Sequence, residues 1–170
     1  MGRFAEFEIS AAPEESRALL EGLGPAVDLA PRFFLKLAGS PAAFQALMAM
    51  SAAMGKSGIA PATRERIGIA VSTLNGSAYS RSAYEAAARS LWLGEAEIAA
   101  NREGRSLDPA VDPAVRLAHR IAADRGHVDD AQIEACRNAG YSDAEIIALV
   151  AQACLTTFSN SLNNLFENET

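Results

Sequence analysis

Apolar residues recur at three- and four-residue steps through most of the chain and alternating β-branched runs are scarce, so the pattern predicts an almost entirely helical protein. A first helix follows Pro13-Glu14-Glu15 and stops at Gly22 and Gly24-Pro25. Asp28 is placed to cap the next, through Pro31 and Leu37, with Gly39-Ser40-Pro41 as the break. Pro41 opens a segment carrying Phe44, Leu47 and Met48 on one side, which ends by Gly55-Lys56-Ser57-Gly58. Pro61 begins a helix whose stripe is Ile67, Ala70, Val71 and Leu74, and Asn75-Gly76 turns the chain. In the following helix Ser77, Ser80 and Tyr84 share one side, Ala87, Ala88 and Leu91 extend the buried surface, and Gly94 ends it. Glu95 to Glu103 reads as a short helix, and residues 113–125, 130–139 and 143 to about 166 as three more. Asp130 is placed to cap the middle one, and Ser142 with Glu145 forms a capping box for the last. From Ile146 to Phe158 that last helix is apolar around most of its circumference, which predicts burial at the centre of the protein or against another subunit.

At 170 residues and 49% hydrophobic, the chain has the size and apolar content of one domain spanning 1–170, with 1–27 as an N-terminal extension and first helix. A net charge of -6 argues against a nucleic-acid partner, which calls for a basic face. The first residues, Met1-Gly2-Arg3-Phe4, lack the apolar core of a secretory signal, and no run is expected to approach the roughly 20 apolar residues of a membrane span. The expectation is therefore a cytoplasmic protein with no membrane partner. Cys136 and Cys154 are the only cysteines and neither has metal-ligand or redox spacing, so no metal and no cofactor is expected.

The chemistry-bearing stretch is Asn75-Gly76-Ser77-Ala78-Tyr79-Ser80-Arg81-Ser82-Ala83-Tyr84, read with Glu65 one helix earlier. Glu65, eleven residues, Ser77, two residues, Ser80, three residues and Tyr84 has the spacing of a redox helix with hydroxyls in place of thiols. It resembles the AhpD-like (alkylhydroperoxidase D / carboxymuconolactone decarboxylase) family, in its peroxidase-related branch, whose motif is Glu, eleven residues, Cys-x-x-Cys, three residues, His. The resemblance extends to Arg64-Glu65-Arg66-Ile67-Gly68, to Asp112-Pro113-Ala114-Val115, to Ala139-Gly140-Tyr141-Ser142 and to the Asn-containing segment Thr157–Asn163. It implies an all-α, multi-helix AhpD-like domain that assembles into dimers, trimers or hexamers, with catalytic positions at Glu65, Ser77, Ser80 and Tyr84.

Of the four motif positions only Glu65 keeps the family's residue. In the family a glutamate and a histidine relay protons to two cysteines, which reduce hydroperoxides through a disulfide. A thiolate is accessible near neutral pH, above all at a helix N-terminus, whereas a serine hydroxyl neither ionises comparably nor forms a disulfide. A tyrosine titrates near a pKa of roughly 10 and does not replace histidine as a proton relay. The substitutions thus predict loss of thiol peroxidase activity.

Each candidate has a plainer role beside the functional one. Glu65 would otherwise pair with a neighbouring arginine, and Ser77 would cap its helix while Ser80 bonds a backbone carbonyl. Tyr79 and Tyr84 are each able to donate a hydrogen bond to a small ligand, or to serve as packing. His119 reads as a partly buried packing residue, His127 as a turn residue, and Trp92 as core or interface. Two alternatives to an inactive peroxidase relative stand: an acid-base enzyme of the carboxymuconolactone decarboxylase type acting on a small carboxylate through Glu65 and Tyr84, and a non-catalytic ligand-binding or assembly module.

Overall fold

The computed structural model describes residues 4–24 and 31–167, and all regular structure among them is helical. After a 3-10 turn at Ile9–Ala11, the helices are α1 (Glu14–Leu23), α2 (Pro31–Leu37), α3 (Pro41–Met54), α4 (Pro61–Leu74), α5 (Ala78–Ser90), α6 (Glu95–Arg102), α7 (Asp112–Ala123), α8 (Asp130–Asn138) and α9 (Asp143–Glu167). Prolines at the first turns of α3, α4 and α7 lose no helical hydrogen bond there, which is why the sequence breaks where it does. Ser40 caps α3 through Ala43 N–H, and the Ser142–Glu145 capping box of α9 forms in both directions. For α8 the N-cap is Asp129, which closes a capping box with Gln132, so Asp130 is the first helical residue and not the cap. The expected cap Asp28 lies outside the described residues.

The centre of the fold is α4 and not α9. Thr63, Ile67, Gly68, Ile69, Ala70, Val71 and Ser72 of α4 are all buried, and the helix packs against α5, α6, α7 and α9. Its Leu74, expected in the stripe, is exposed instead. The main core joins Ile67, Ala70 and Val71 of α4 to Val115, Leu117 and Ile121 of α7 and to Ile146, Leu149 and Ala153 of α9. A second core lies at the other end of α9, where Leu155 and Phe166 meet Leu20, Leu37, Phe44 and Leu47.

The long helix α9 divides its circumference differently from the sequence expectation. Ile147 is 70% exposed, Val150 and Cys154 are exposed on the same side, and Gln152, Thr156, Asn160 and Asn163 are buried. Against the sequence expectation, α9 is long and apolar enough by length and composition to cross a membrane. Its polar stripe at i, i+4, i+8 and i+11 faces inward, as in a core helix built to meet polar partners.

Candidate functional site

Asn75 and Gly76 make the turn that starts the site. Gly76 takes φ +65°, and Ser77 N–H reaches back to Ser72 carbonyl at 3.0 Å, so α5 folds back along α4. Ser77 stands at the N-cap of α5 and is fully buried, but its side chain does not cap the helix. Its Oγ instead donates to Ser80 Oγ at 3.0 Å, and Asn163 Nδ2 of α9 donates to the same Ser80 oxygen at 2.9 Å. The hydroxyl pair is thus a buried unit tied to α9, and the expected bond from Ser80 to a backbone carbonyl is replaced by these two contacts.

Tyr84, one turn further along α5, is half-buried, with its phenol near the hydroxyls of Thr156 and Ser159. Burial pushes its phenol above the ordinary tyrosine range, the two hydroxyls oppose this, and the charge of Glu65 adds to the rise. Glu65 is half-buried, and among the described residues its carboxyl makes no hydrogen bond or ion pair. Burial raises its pKa while the Arg64 charge pulls it down. The neighbouring Arg66 is engaged elsewhere. Arg66 Nε binds Glu97 Oε1 at 2.7 Å, and Asn101 Nδ2, Ser106 Oγ and Leu107 N–H donate to the same carboxylate. These bonds outweigh the effect of burial and hold Glu97 at about 2. The hub pins α6 and the 104–108 loop to α4 and holds Arg66 away from Glu65.

Ser72 and Asn160, both fully buried, continue the seam: Asn160 Nδ2 donates to Ser72 Oγ at 2.8 Å. Asn75 Nδ2 donates to Thr157 Oγ1 at 3.3 Å, and Asn164 Nδ2 to Asn75 carbonyl at 2.9 Å. Gln152 Nε2 donates to Thr156 Oγ1 at 3.4 Å, while Gln152 Oε1 is buried without a hydrogen-bond partner. The site is therefore a polar junction of three helices: Glu65 and Ser72 from α4, the Ser77–Ser80 pair and Tyr84 from α5, and the inner stripe of α9. Residue-by-residue reading missed Gln152, Thr156, Ser159, Asn160 and Asn163. The available signal was their helical spacing inside an otherwise apolar segment.

The other candidates lie apart. Tyr79 is exposed on the outer side of α5. His119 is partly buried against Gly104, as expected, and burial lowers its pKa with the Arg120 charge assisting. His127 is an exposed turn residue. Cys136 is buried, and burial alone pushes its thiol up to about 11, whereas Cys154 is exposed. Trp92 is not core: it is 94% exposed and takes φ +64°, and it turns the chain out of α5 where Gly94 was expected to. Gly94 is the N-cap of α6. No group of three or more His, Cys, Asp or Glu side chains among the described residues is arranged to hold a metal.

Residues 41–124, which run from α3 to the end of α7 and include Glu65, Ser77, Ser80 and Tyr84, match the model of the carboxymuconolactone decarboxylase family. The chain belongs to this AhpD-like family. Its fold is similar to that of an uncharacterized peroxidase-related protein with an alkylhydroperoxidase AhpD core from Ralstonia eutropha JMP134, with a TM-score of 0.81 and 23% identity over 96% of this chain and 88% of that one. A second uncharacterized peroxidase-related protein, from Silicibacter sp. TM1040, gives a TM-score of 0.81 and 18% identity over 99% of this chain and 89% of that one. At these identities the likeness is one of fold. No curated protein matches the chain significantly in sequence.

Proposed function

We propose that this AhpD-like protein is a cytoplasmic family member without thiol peroxidase chemistry, in which a hydroxyl-lined site occupies the place of the redox pair. The observation that carries this reading is the buried Ser77–Ser80 pair, with oxygens 3.0 Å apart at the start of α5. In a dithiol site one thiolate attacks the peroxide, the alcohol leaves, and the resulting sulfenic acid condenses with the second thiol to give a disulfide and water. Serine oxygens have no such cycle. Cys136 and Cys154 sit on α8 and α9, outside the motif helix, and Cys136 is buried with a raised thiol pKa.

A second reading is favoured by Glu65, whose half-buried carboxyl has a raised pKa and stands beside Tyr84 without a protein partner among the described residues. Burial favours the protonated form of such a carboxyl, and that form donates a hydrogen bond to a small carboxylate, which suits acid-base work or simple binding. One paired experiment tests both. The purified protein is expected to consume organic hydroperoxide with thiol reductant no faster than a protein-free control, and a turnover that disappears on Cys136→Ser or Cys154→Ser would overturn the first reading. A thermal-shift screen of small carboxylates on the native protein and Glu65→Gln tests the second, which requires a shift that the variant loses.

The proposal includes self-association as a dimer, trimer or hexamer through the outer face of α9. Ile147, Val150 and Cys154 are exposed at helical spacing, and apolar side chains grouped on one exposed face suit an interaction site. Phe158 packs against the second core, so Ile147, not Phe158, is the position that separates assembly from folding. Light scattering is expected to give a multiple of 17.9 kDa that Ile147→Glu reduces without lowering helicity. A native mass that stays at 17.9 kDa with rising concentration contradicts the assembly.

A further inference from the structure

We propose that Gly68 is the positioning residue of this site: the bare α4 backbone at Gly68 seats the Tyr84 ring, and the ring so placed carries its hydroxyl to Thr156 and Ser159 beside Glu65. This deepens the reading of Glu65 and Tyr84 as a functional pair. A Cβ added at Gly68 would stand 2.3 Å from Tyr84 Cδ1, 2.5 Å from Cγ and 2.6 Å from Cε1. These atoms belong to the base and near edge of the ring rather than to a flexible tip. Tyr84 also packs against the small core cluster of Ile69, Ala88 and Ile98. Relief of such an overlap requires the ring to leave its place.

Gly68 has no backbone reason to be glycine. It lies inside α4 and is not among the positive-φ residues, and glycine is a poor helix former compared with alanine. What its missing side chain provides is room for an aromatic ring at position 84. The far end of that ring meets the hydroxyls of α9, near Thr156 and Ser159. Both are anchored to their own helix, Thr156 Oγ1 donating to Gln152 carbonyl at 3.0 Å and Ser159 Oγ to Thr156 carbonyl at 2.9 Å. Gly68 at one end of the ring and the α9 hydroxyls at the other therefore fix where the Tyr84 phenol sits. Residues 68 and 84 form a matched pair that suits this site to tyrosine.

The test is a four-protein cycle: native, Gly68→Ala, Tyr84→Ala and the double variant, each followed by thermal melting. Gly68→Ala is expected to lower the melting midpoint by several degrees in the native background and to raise it in the Tyr84→Ala background, where only the helix preference for alanine remains. Equal shifts in the two backgrounds would overturn the proposal. If Gly68→Ala does not fold, recovery of a folded protein in the double variant supports the pairing and failure to recover it refutes it. A second readout follows the titration of carbon-13-labelled tyrosine by NMR. Gly68→Ala is expected to bring Tyr84 down toward its ordinary value while Tyr141 is unmoved, and an unchanged Tyr84 titration counts against the proposal. Both readouts concern the Gly68–Tyr84 pair alone, so they stand or fall separately from the carboxylate screen that tests the site's function.

Discussion

Replacement of Ser77 and Ser80 by cysteine yields a protein whose two new thiols close into a disulfide under mild oxidant and reopen with reductant. The oxygens they replace are 3.0 Å apart and already in contact, and a sulfur pair needs only to approach to about 2.05 Å, which the longer C–S bonds assist. Position favours the chemistry as well, since Ser77 is the N-cap of α5, where the helix dipole stabilises a thiolate. Adding Tyr84→His restores the family's proton relay, and measurable hydroperoxide reduction by the triple variant is expected where the native protein gives none. Alkylation and mass spectrometry check the thiols, and a coupled reductant assay checks turnover. Two cysteines that remain fully alkylatable after oxidant would mean that the start of α5 is not arranged as described. The smaller histidine ring leaves part of the Gly68 seat unfilled, so the triple variant is also expected to melt below the double-cysteine variant.

Glu97→Gln is expected to cost about 3 kcal/mol at neutral pH, a shift of roughly 10 °C in melting midpoint for a chain of this size. Four donors converge on the Glu97 carboxylate, from Arg66, Asn101, Ser106 and the Leu107 backbone. Both side chains of the Arg66–Glu97 pair are mostly buried, at 13% and 12% exposure, so solvent screens the interaction little. The folded-state value of about 2 lies below the ordinary 4.5 of the free group, so the stabilisation is fully present above pH 4.5 and is lost as pH falls to about 2. The difference between native and variant should accordingly be largest at neutral pH and shrink through that acidic window. Urea titrations at several pH values measure it, and a difference that holds constant down to pH 2 would show that ionisation of Glu97 is not its source.

The helical class and nearly every helix boundary were legible from the chain, because they rest on local signals. Prolines at first turns, the Ser142–Glu145 box and the Asn75-Gly76 turn act within a few residues of themselves. The motif spacing was legible for the same reason: a helix places Ser77, Ser80 and Tyr84 on one side whatever surrounds it. Local signals failed where a long-range partner decided the outcome. Ser77 has the residue type and the position of a cap, yet its hydroxyl bonds Ser80, which in turn is held by Asn163 from the far end of the chain. Glu65 is flanked by two arginines in sequence, but Glu97 holds Arg66, and no neighbour rule reports a competitor 31 residues away. Trp92 reads as core or interface by hydrophobicity and is not core, since helix packing and not side-chain type determines which face is covered. The sequence by itself determined that this is a helical AhpD-like chain without the redox pair. Only the tertiary structure decided that the remaining groups form one polar junction, because burial and hydrogen-bond partners arise from segments that meet only after α9 has packed along α4 and α5.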